Sequence, residues 1–164
     1  MTRIFSALAL GGSLFLLAGG AQAWAQAAPA QMVEQRQETM KGLWPNYYQE
    51  MARVVRGQSN DVAGVATKAA QASDALKKAA QLFPPGTGRD AVPKTRAKPE
   101  IWTQRADFEA ALTKMVAETD AIGAAAKSGN LDAVKAQWLK VAEACGGCHG
   151  GPTKSGGKFR FEEP

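Results

Sequence analysis

The sequence contains few of the side chains that perform acid–base or redox chemistry in proteins. Its 164 residues include two cysteines, one histidine and two tyrosines. It also lacks paired carboxylates, a serine–histidine arrangement and a glycine-rich phosphate-binding loop. General-base catalysis would therefore have a single histidine to draw on. We expect a protein that is not an enzyme.

The apolar–polar alternation that is typical of β-strands is missing as well. Apolar residues recur instead at steps of three and four, which is the spacing of one helix face, in four separate stretches. Two of the connections are short, which favours antiparallel neighbours, so we predict an all-α fold, an antiparallel up-down four-helix bundle. Trp44, Trp102 and Trp138 lie on or beside the stripes, and we interpret them as core residues or pocket walls. The stripes run from Met40 to Val55, Val62 to Phe83, Phe108 to Ala126 and Leu131 to Cys148.

Residues that start and stop helices agree with these stripes. Gly57 is placed to end the first helix, Ser59-Asn60-Asp61 to cap the second, and Asn130 to cap the fourth. Pro45 predicts either a kink in the first helix or a restart of the helix at that residue. The segment 84–102 is rich in proline and glycine, so we expect an irregular connection across one end of the bundle.

The amino-terminal residues have the pattern of a secretory signal. A short basic start is followed by an apolar run from Ile4 to Ala18 and by the small-x-small pattern Ala21-Gln22-Ala23. The apolar run is shorter than the roughly 20 residues of a membrane-spanning helix. We predict a signal peptide over 1–23, with cleavage as late as 27, export to the periplasm and no membrane span afterwards. Residues 24–164 then form one domain with an irregular tail over 150–164.

The chain carries a modest excess of basic residues. Its formal charge is +5, and loss of Arg3 with the signal would lower it to +4. This charge is too small to suggest nucleic acid as a partner. It favours encounters with acidic partner proteins, over distances limited by salt screening to about 8–10 Å.

Both cysteines and the only histidine lie in one stretch, CGGCH, at 145–149. Cys145 and Cys148 are three residues apart, so on a helix both thiols point to the same face, which continues the fourth apolar stripe. Two inward thiols beside the imidazole of His149 suit a flat cofactor between helices. This spacing is that of covalent haem attachment, in which the thiols bond the vinyl groups and the histidine ligates iron.

Three other chemistries use such a cluster and fit less well. A redox dithiol usually lies at a helix N-terminus, where the thiol pKa is lowered, whereas these thiols are predicted at a C-terminus. A structural zinc site needs four ligands, and the cluster supplies three. A local disulfide in an oxidising compartment, with an incidental surface histidine, is the remaining alternative.

Several stretches in order along the chain resemble the cytochrome c′ family, the four-helix-bundle c-type cytochromes that carry haem near the C-terminus. The resemblance implies that Cys145 and Cys148 form the haem thioethers, that one haem c is bound per chain, and that His149 is the proximal iron ligand. Homodimers are frequent in this family, so a homodimer is a further expectation. The stretches are RQETM (36–40), VVRGQ (54–58), LFPPGTG (82–88), KPEIW (98–102) and CGGCH (145–149).

The resemblance also places Met40 on the distal side of the haem and Arg36 near a haem propionate. Met40 is compatible with two functions. As an iron ligand it would give a low-spin His/Met electron carrier, which we favour, and as a steric gate it would leave a five-coordinate haem for nitric oxide or carbon monoxide. The tail departs from the family pattern because GGPTKSGGK separates the histidine from Phe159-Arg160. Arg160 is either the displaced family arginine or unrelated to it.

Overall fold

The computed structural model describes residues 29–150 and 156–161. Within these ranges the regular structure is helical, apart from one isolated antiparallel bridge between Ala97 and Arg160. The predicted all-α fold is therefore confirmed. The elements are α1 (Pro29–Leu43), a π-helical turn (Trp44–Gln49), α2 (Glu50–Val55), α3 (Val62–Ala80), α4 (Glu100–Thr103), α5 (Arg105–Lys127) and α6 (Leu131–His149).

The four predicted stripes become the four long helical segments of the bundle, the first of which consists of α1, the π-helical turn and α2. Helix α5 packs against both α3 and α6, and α1 packs against α3. Gly123 allows a close approach of α5 to α3, because a Cβ there would lie 3.1 Å from the Ala69 Cβ. The central core is formed by the buried residues Tyr47, Met51, Val54, Val65, Ala69, Ala72, Leu76, Met115, Ile122, Ala126, Val134, Val141 and Ala144.

The caps follow the predicted positions. The Asp61 carboxylate accepts a hydrogen bond from the Gly64 amide at 2.8 Å at the start of α3. The Asn130 side chain accepts one from the Ala133 amide at 3.0 Å at the start of α6. Gly57 follows α2 with a φ of 71°, a left-handed conformation that glycine adopts without strain. These contacts satisfy amides that the first helical turn leaves without intrahelical partners.

Pro45 lies in the π-helical turn rather than at a helix restart. The turn is continuous with α1 before it and α2 after it. π-Helical structure is rare and occurs mostly as single turns inside α-helices, where it changes the hydrogen-bonding pattern locally. Proline disturbs that pattern because it has no amide hydrogen to donate. The turn also carries Trp44, whose side chain is exposed rather than buried. The interpretation of Trp44 as a core residue or pocket wall was therefore wrong.

The tail is more closely packed than the sequence suggests. Residues 156–161, here called the strap, run along residues 95–98 of the connection between α3 and α5. Lys98 N donates to Phe159 O at 3.1 Å, and Phe161 N donates to Arg96 O at 2.8 Å. The Phe159 side chain is 4% exposed and packs in a second apolar cluster, here called the end cluster, with Ile101 and Phe108. The backbone of the strap has no regular secondary structure apart from the isolated bridge at Arg160, and these contacts tie it closely to the bundle.

In the part of the chain that the structure describes, none of the helices is both long and apolar enough to cross a membrane. The predicted signal peptide over 1–23 lies outside the described residues, and so do the tail residues 151–155 and 162–164.

Candidate functional site

The CGGCH stretch occupies the last turns of α6. The helix continues to His149 and ends at Gly150, whose φ of 88° is left-handed. Cys145 and Cys148 are both partly buried and are not bridged to each other. The placement of both thiols on an inward helical face, as the spacing predicts, agrees with this burial.

The two thiols contact different apolar groups. Cys145 packs against the central core, and its Sγ lies 3.7 Å from the Met115 Sδ, which accepts its hydrogen bond. Cys148 packs against the end cluster, where Phe108 meets Phe159 edge-on with ring centroids 5.3 Å apart. The pair therefore lies along the boundary between the two clusters, with apolar side chains at both ends.

The environment of the thiols opposes a role as a redox dithiol. Burial, together with the neighbouring Cys148, raises the pKa of Cys145 to about 11. Burial also raises the pKa of Cys148. Reactive dithiols need a lowered pKa, so both thiols would be largely protonated and unreactive at neutral pH. Among the described residues, no group of three or more cysteine, histidine or acidic side chains is arranged to hold a metal ion.

His149 is held as a neutral imidazole. Burial, followed by the positive charges of Arg160 and Arg96, lowers its pKa to about 4. The neutral form keeps a nitrogen lone pair available, which is the form that ligates metals. Arg160 thus lies close enough to His149 to act on it electrostatically, in spite of the nine residues inserted before Phe159.

The strap covers the end of α6 beside His149. Phe159 N donates to Cys148 O at 3.3 Å. Gly157 lies directly against the helix terminus, because a Cβ there would come within 2.7 Å of the His149 carbonyl carbon. Contacts between chain segments far apart in sequence are not visible in a local pattern, which is why the strap was not predicted.

Met40 is partly buried and packs against the central core, as Cys145 does. Of the other described methionines, Met51 is fully buried in that core, and Met115 is the one beside the Cys145 thiol. The sequence placed Met115 on the inward stripe of α5 but gave it no role at the site. Its contact with Cys145 makes it a second thioether close to the cluster.

Arg36 is buried, with 4% of its surface exposed, and its guanidinium holds the connection between α3 and α5. Nη1 donates to Leu82 O at 3.2 Å and to Thr87 Oγ1 at 3.1 Å. Nη2 donates to Thr87 O and to Thr95 Oγ1, both at 2.7 Å. The guanidinium also lies over the Phe83 ring, 4.6 Å from its centroid. These partners bear no charge, and burial lowers the pKa of Arg36 to about 10.

The residues present fit a covalently bound haem. Two adjacent thiols face apolar clusters on either side, a neutral histidine follows, and a buried cation one helical turn before Met40 has only neutral partners among the described residues. Buried charges are normally paired with opposite charges, so a carboxylate-bearing ligand would complement Arg36. The fold and the site define a c-type haem protein built on a four-helix bundle.

Residues 31–151 match the family described as Cytochrome C', and the chain belongs to that family. It is 34% identical to cytochrome c' of Rubrivivax gelatinosus over 122 residues, which cover 74% of this chain and 92% of the relative. It is 28% identical over 139 residues to cytochrome c-556 of Rhodopseudomonas palustris, covering 82% and 91%. A solved structure of a ferrous variant of cytochrome c' from Alcaligenes xylosoxidans with bound nitric oxide superposes with a TM-score of 0.71 at 25% identity, covering 84% and 98%.

Proposed function

We propose that the protein is a one-electron carrier whose haem iron is ligated by His149 and Met40 and whose haem is attached through Cys145 and Cys148, near the C-terminus. The observation that carries this proposal is that Met40 and Cys145 pack against the same central core. A thioether in that position lies within the bundle interior that the cofactor would enter. Haem supplies the reversible one-electron chemistry, and histidine–methionine ligation generally raises its potential.

Residues of the chain itself would favour haem ligation, exclude water from the site and pair with the cofactor. His149 is neutral, so no proton has to leave before it ligates iron. The apolar clusters around both cysteines keep water from the attachment region and lower its polarity, which influences the potential. We also propose Arg36 as the partner of a haem propionate, because its buried charge has only neutral partners among the described residues.

A second candidate function is the binding of a diatomic gas at a five-coordinate haem. It is favoured by the solved structure of the Alcaligenes xylosoxidans relative with bound nitric oxide, which has the same fold. In this candidate Met40 packs over the open side of the iron without bonding to it. The two functions therefore differ in one bond, between the Met40 sulfur and iron.

We further propose that the protein works in the periplasm after removal of residues 1–23, without catalytic activity of its own. The partners would be acidic redox proteins, since the chain is basic. Association into a homodimer is part of the same proposal.

Optical and EPR spectra of the ferric and ferrous holoprotein test the proposed ligation. We expect a low-spin spectrum with a near-infrared methionine-to-iron band, which Met40→Ala abolishes. The matched control is Met115→Ala, which removes the thioether beside Cys145 and is expected to leave the band in place. Loss of the band in Met115→Ala alone would show that Met115 is the ligand. A high-spin spectrum that Met40→Ala leaves unchanged would reject the electron carrier and favour gas binding.

A further inference from the structure

Trp44 is unusual among the described residues because a large aromatic side chain is 56% exposed to solvent. Its ring stacks on Tyr48, with centroids 4.8 Å apart and an interplanar angle of 13°. Tyr48 in turn packs on Trp138 of α6, with centroids 4.4 Å apart and an angle of 48°. The three rings form a continuous aromatic path from solvent to α6, here called the aromatic stack.

The inner end of the aromatic stack lies near the haem-attachment residues. Trp138 and Cys145 are seven residues apart, so they share one face of α6 at a separation of about 10 Å along the helix axis. Both side chains pack against the central core. Burial raises the Tyr48 pKa, and Tyr48 also lies within electrostatic range of Cys145. The stack therefore connects the surface with the region that holds the cofactor.

Exposed basic side chains lie near the helical segments that carry the aromatic stack. Arg56 is exposed, and its positive charge acts on Tyr48 in the direction opposite to Cys145. Lys41 lies one helical turn before Trp44, and Lys135 lies one turn before Trp138; both are exposed. A second copy of this chain would bring the same positive charges together. The charge of this surface favours an acidic partner instead.

We propose that the aromatic stack, with Arg56, Lys41 and Lys135 around it, is the surface on which an acidic redox protein docks and exchanges electrons with this one. The inference rests on the proposed electron-carrier function and adds the place of contact. A tryptophan that is flat, rigid and half-exposed is a typical energetic anchor of an interface. Electronic coupling falls steeply with distance, so a partner seated on Trp44 would use the closely spaced rings as its route.

Docking can be tested without any redox reaction. Hexacyanochromate(III) is a redox-inert, paramagnetic anion that broadens the NMR signals of nearby protons. Added to the holoprotein, it is expected to broaden the Trp44 indole signal first, and less so at high salt. Arg56→Gln should weaken the effect about threefold or more, whereas the control Arg53→Gln, whose side chain pairs with Glu50 at 3.6 Å, should not. Equal broadening of indole signals across the protein would overturn the proposal.

Electron exchange gives the second readout. In this reaction the reduced holoprotein loses one electron, and hexacyanoferrate(III) gains it to become hexacyanoferrate(II), without proton transfer. We expect Trp44→Ala to lower the second-order rate constant by about tenfold at unchanged reduction potential, and Trp44→Phe to have a smaller effect because it keeps a ring. The control is Leu139→Ala, which removes the other large exposed apolar side chain among the residues that the structure describes. Leu139 is 69% exposed and lies outside the stack.

Two outcomes would contradict the docking surface in different ways. Equal rates for Trp44→Ala and Leu139→Ala, with a low-spin His149/Met40 spectrum, would overturn the surface and leave the electron carrier standing. A dimer that Trp44→Ala converts to a monomer in size-exclusion chromatography would assign the surface to a second copy. Failure of the proposed function is recognised separately, by a five-coordinate spectrum of the unchanged holoprotein.

Discussion

Arg36 places a positive charge in the interior of the protein and surrounds it with neutral oxygen atoms. Its planar guanidinium reaches Leu82, Thr87 and Thr95 at once, so a single side chain of α1 fixes both ends of a proline-rich connection. Burial of such a charge is costly unless every donor finds an acceptor. The sequence identified Arg36 as important but assigned it only a propionate, because the fold of the connection was not predictable from its irregular sequence.

Arg36→Lys is expected to destabilise the protein. An ammonium group is a point charge that cannot replace the fork of four hydrogen bonds. The Thr87 acceptors would lose their bonds to Arg36, and Thr95 Oγ1 would keep only its bond from the Ala97 amide. We expect a loss of about 2 kcal/mol or more in the free energy of unfolding, measured by urea denaturation of the holoprotein.

The matched control for this substitution is Arg53→Lys. Arg53 has an exposed side chain in contact with Glu50, so its replacement should change the free energy of unfolding by less than about 0.5 kcal/mol. Similar losses for both variants would show that the hydrogen bonds of Arg36 do not contribute to stability.

At the scale of the element, the strap over 156–161 behaves as a structural part of the bundle and not as a loose tail. Phe159 is its anchor, since its ring is 4% exposed and packs edge-on against Phe108. The strap is joined to residues 95–98 through backbone hydrogen bonds, so it ties the α3–α5 connection to the end of α6. The electrostatic environment of His149 depends on this contact between strap and connection. Arg160 belongs to the strap and Arg96 to the connection, and the charges of both act on His149.

Phe159→Ala is expected to release the strap from the end of α6. Removal of a buried phenylalanine side chain costs about 3–5 kcal/mol, and the smaller value applies here because a terminal segment can detach locally. Limited proteolysis should then cleave near residue 158, and the thermal midpoint should fall. Lys158→Gln removes the exposed contact with Asp107 and the ammonium group 5.3 Å from the centroid of the Phe159 ring, but it keeps the buried ring. It serves as the control and should leave both nearly unchanged. Resistance of Phe159→Ala to the protease would contradict the anchor role.

The helices show which features a local pattern can predict. The four stripes specified the four long helical segments, and Asp61 and Asn130 specified the caps of two of them. Both features were predictable because helical periodicity and capping depend on neighbours within one turn. The π-helical turn around Pro45 was not predicted. The absence of an amide hydrogen at proline predicts that one helical hydrogen bond is lost, but not which backbone conformation the helix then adopts. The strap and the contact of Met115 with Cys145 were missed because they join residues far apart in sequence.

At the scale of the whole molecule, the candidate site is assembled from every long helix of the bundle. The first helical segment contributes Met40, α5 contributes Met115, α6 contributes Cys145 and His149, and α3 supports the core between them. Bundle interiors are suited to cofactors because side chains of several facing helices converge there. Since the cysteines and histidine are adjacent, the sequence alone suggests a role for them, whereas the residues that surround them are given only by the fold.

Covalent attachment and export make a joint prediction for the whole chain. Protein recovered from the periplasm should begin at Trp24, or as late as residue 28, and carry the additional mass of one haem, both read from an intact-mass spectrum. Cys145→Ser should lose the thioether at one end of the attachment, and the Cys145→Ser/Cys148→Ser double variant should carry no covalent haem. The double variant Cys145→Ala/Met115→Leu is compared with Cys145→Ser, because it removes the contact between the Cys145 and Met115 sulfur atoms together with one thioether. A colourless periplasmic protein of unmodified mass would contradict the attachment, and an unprocessed N-terminus at Met1 would contradict export, so the two parts can fail independently.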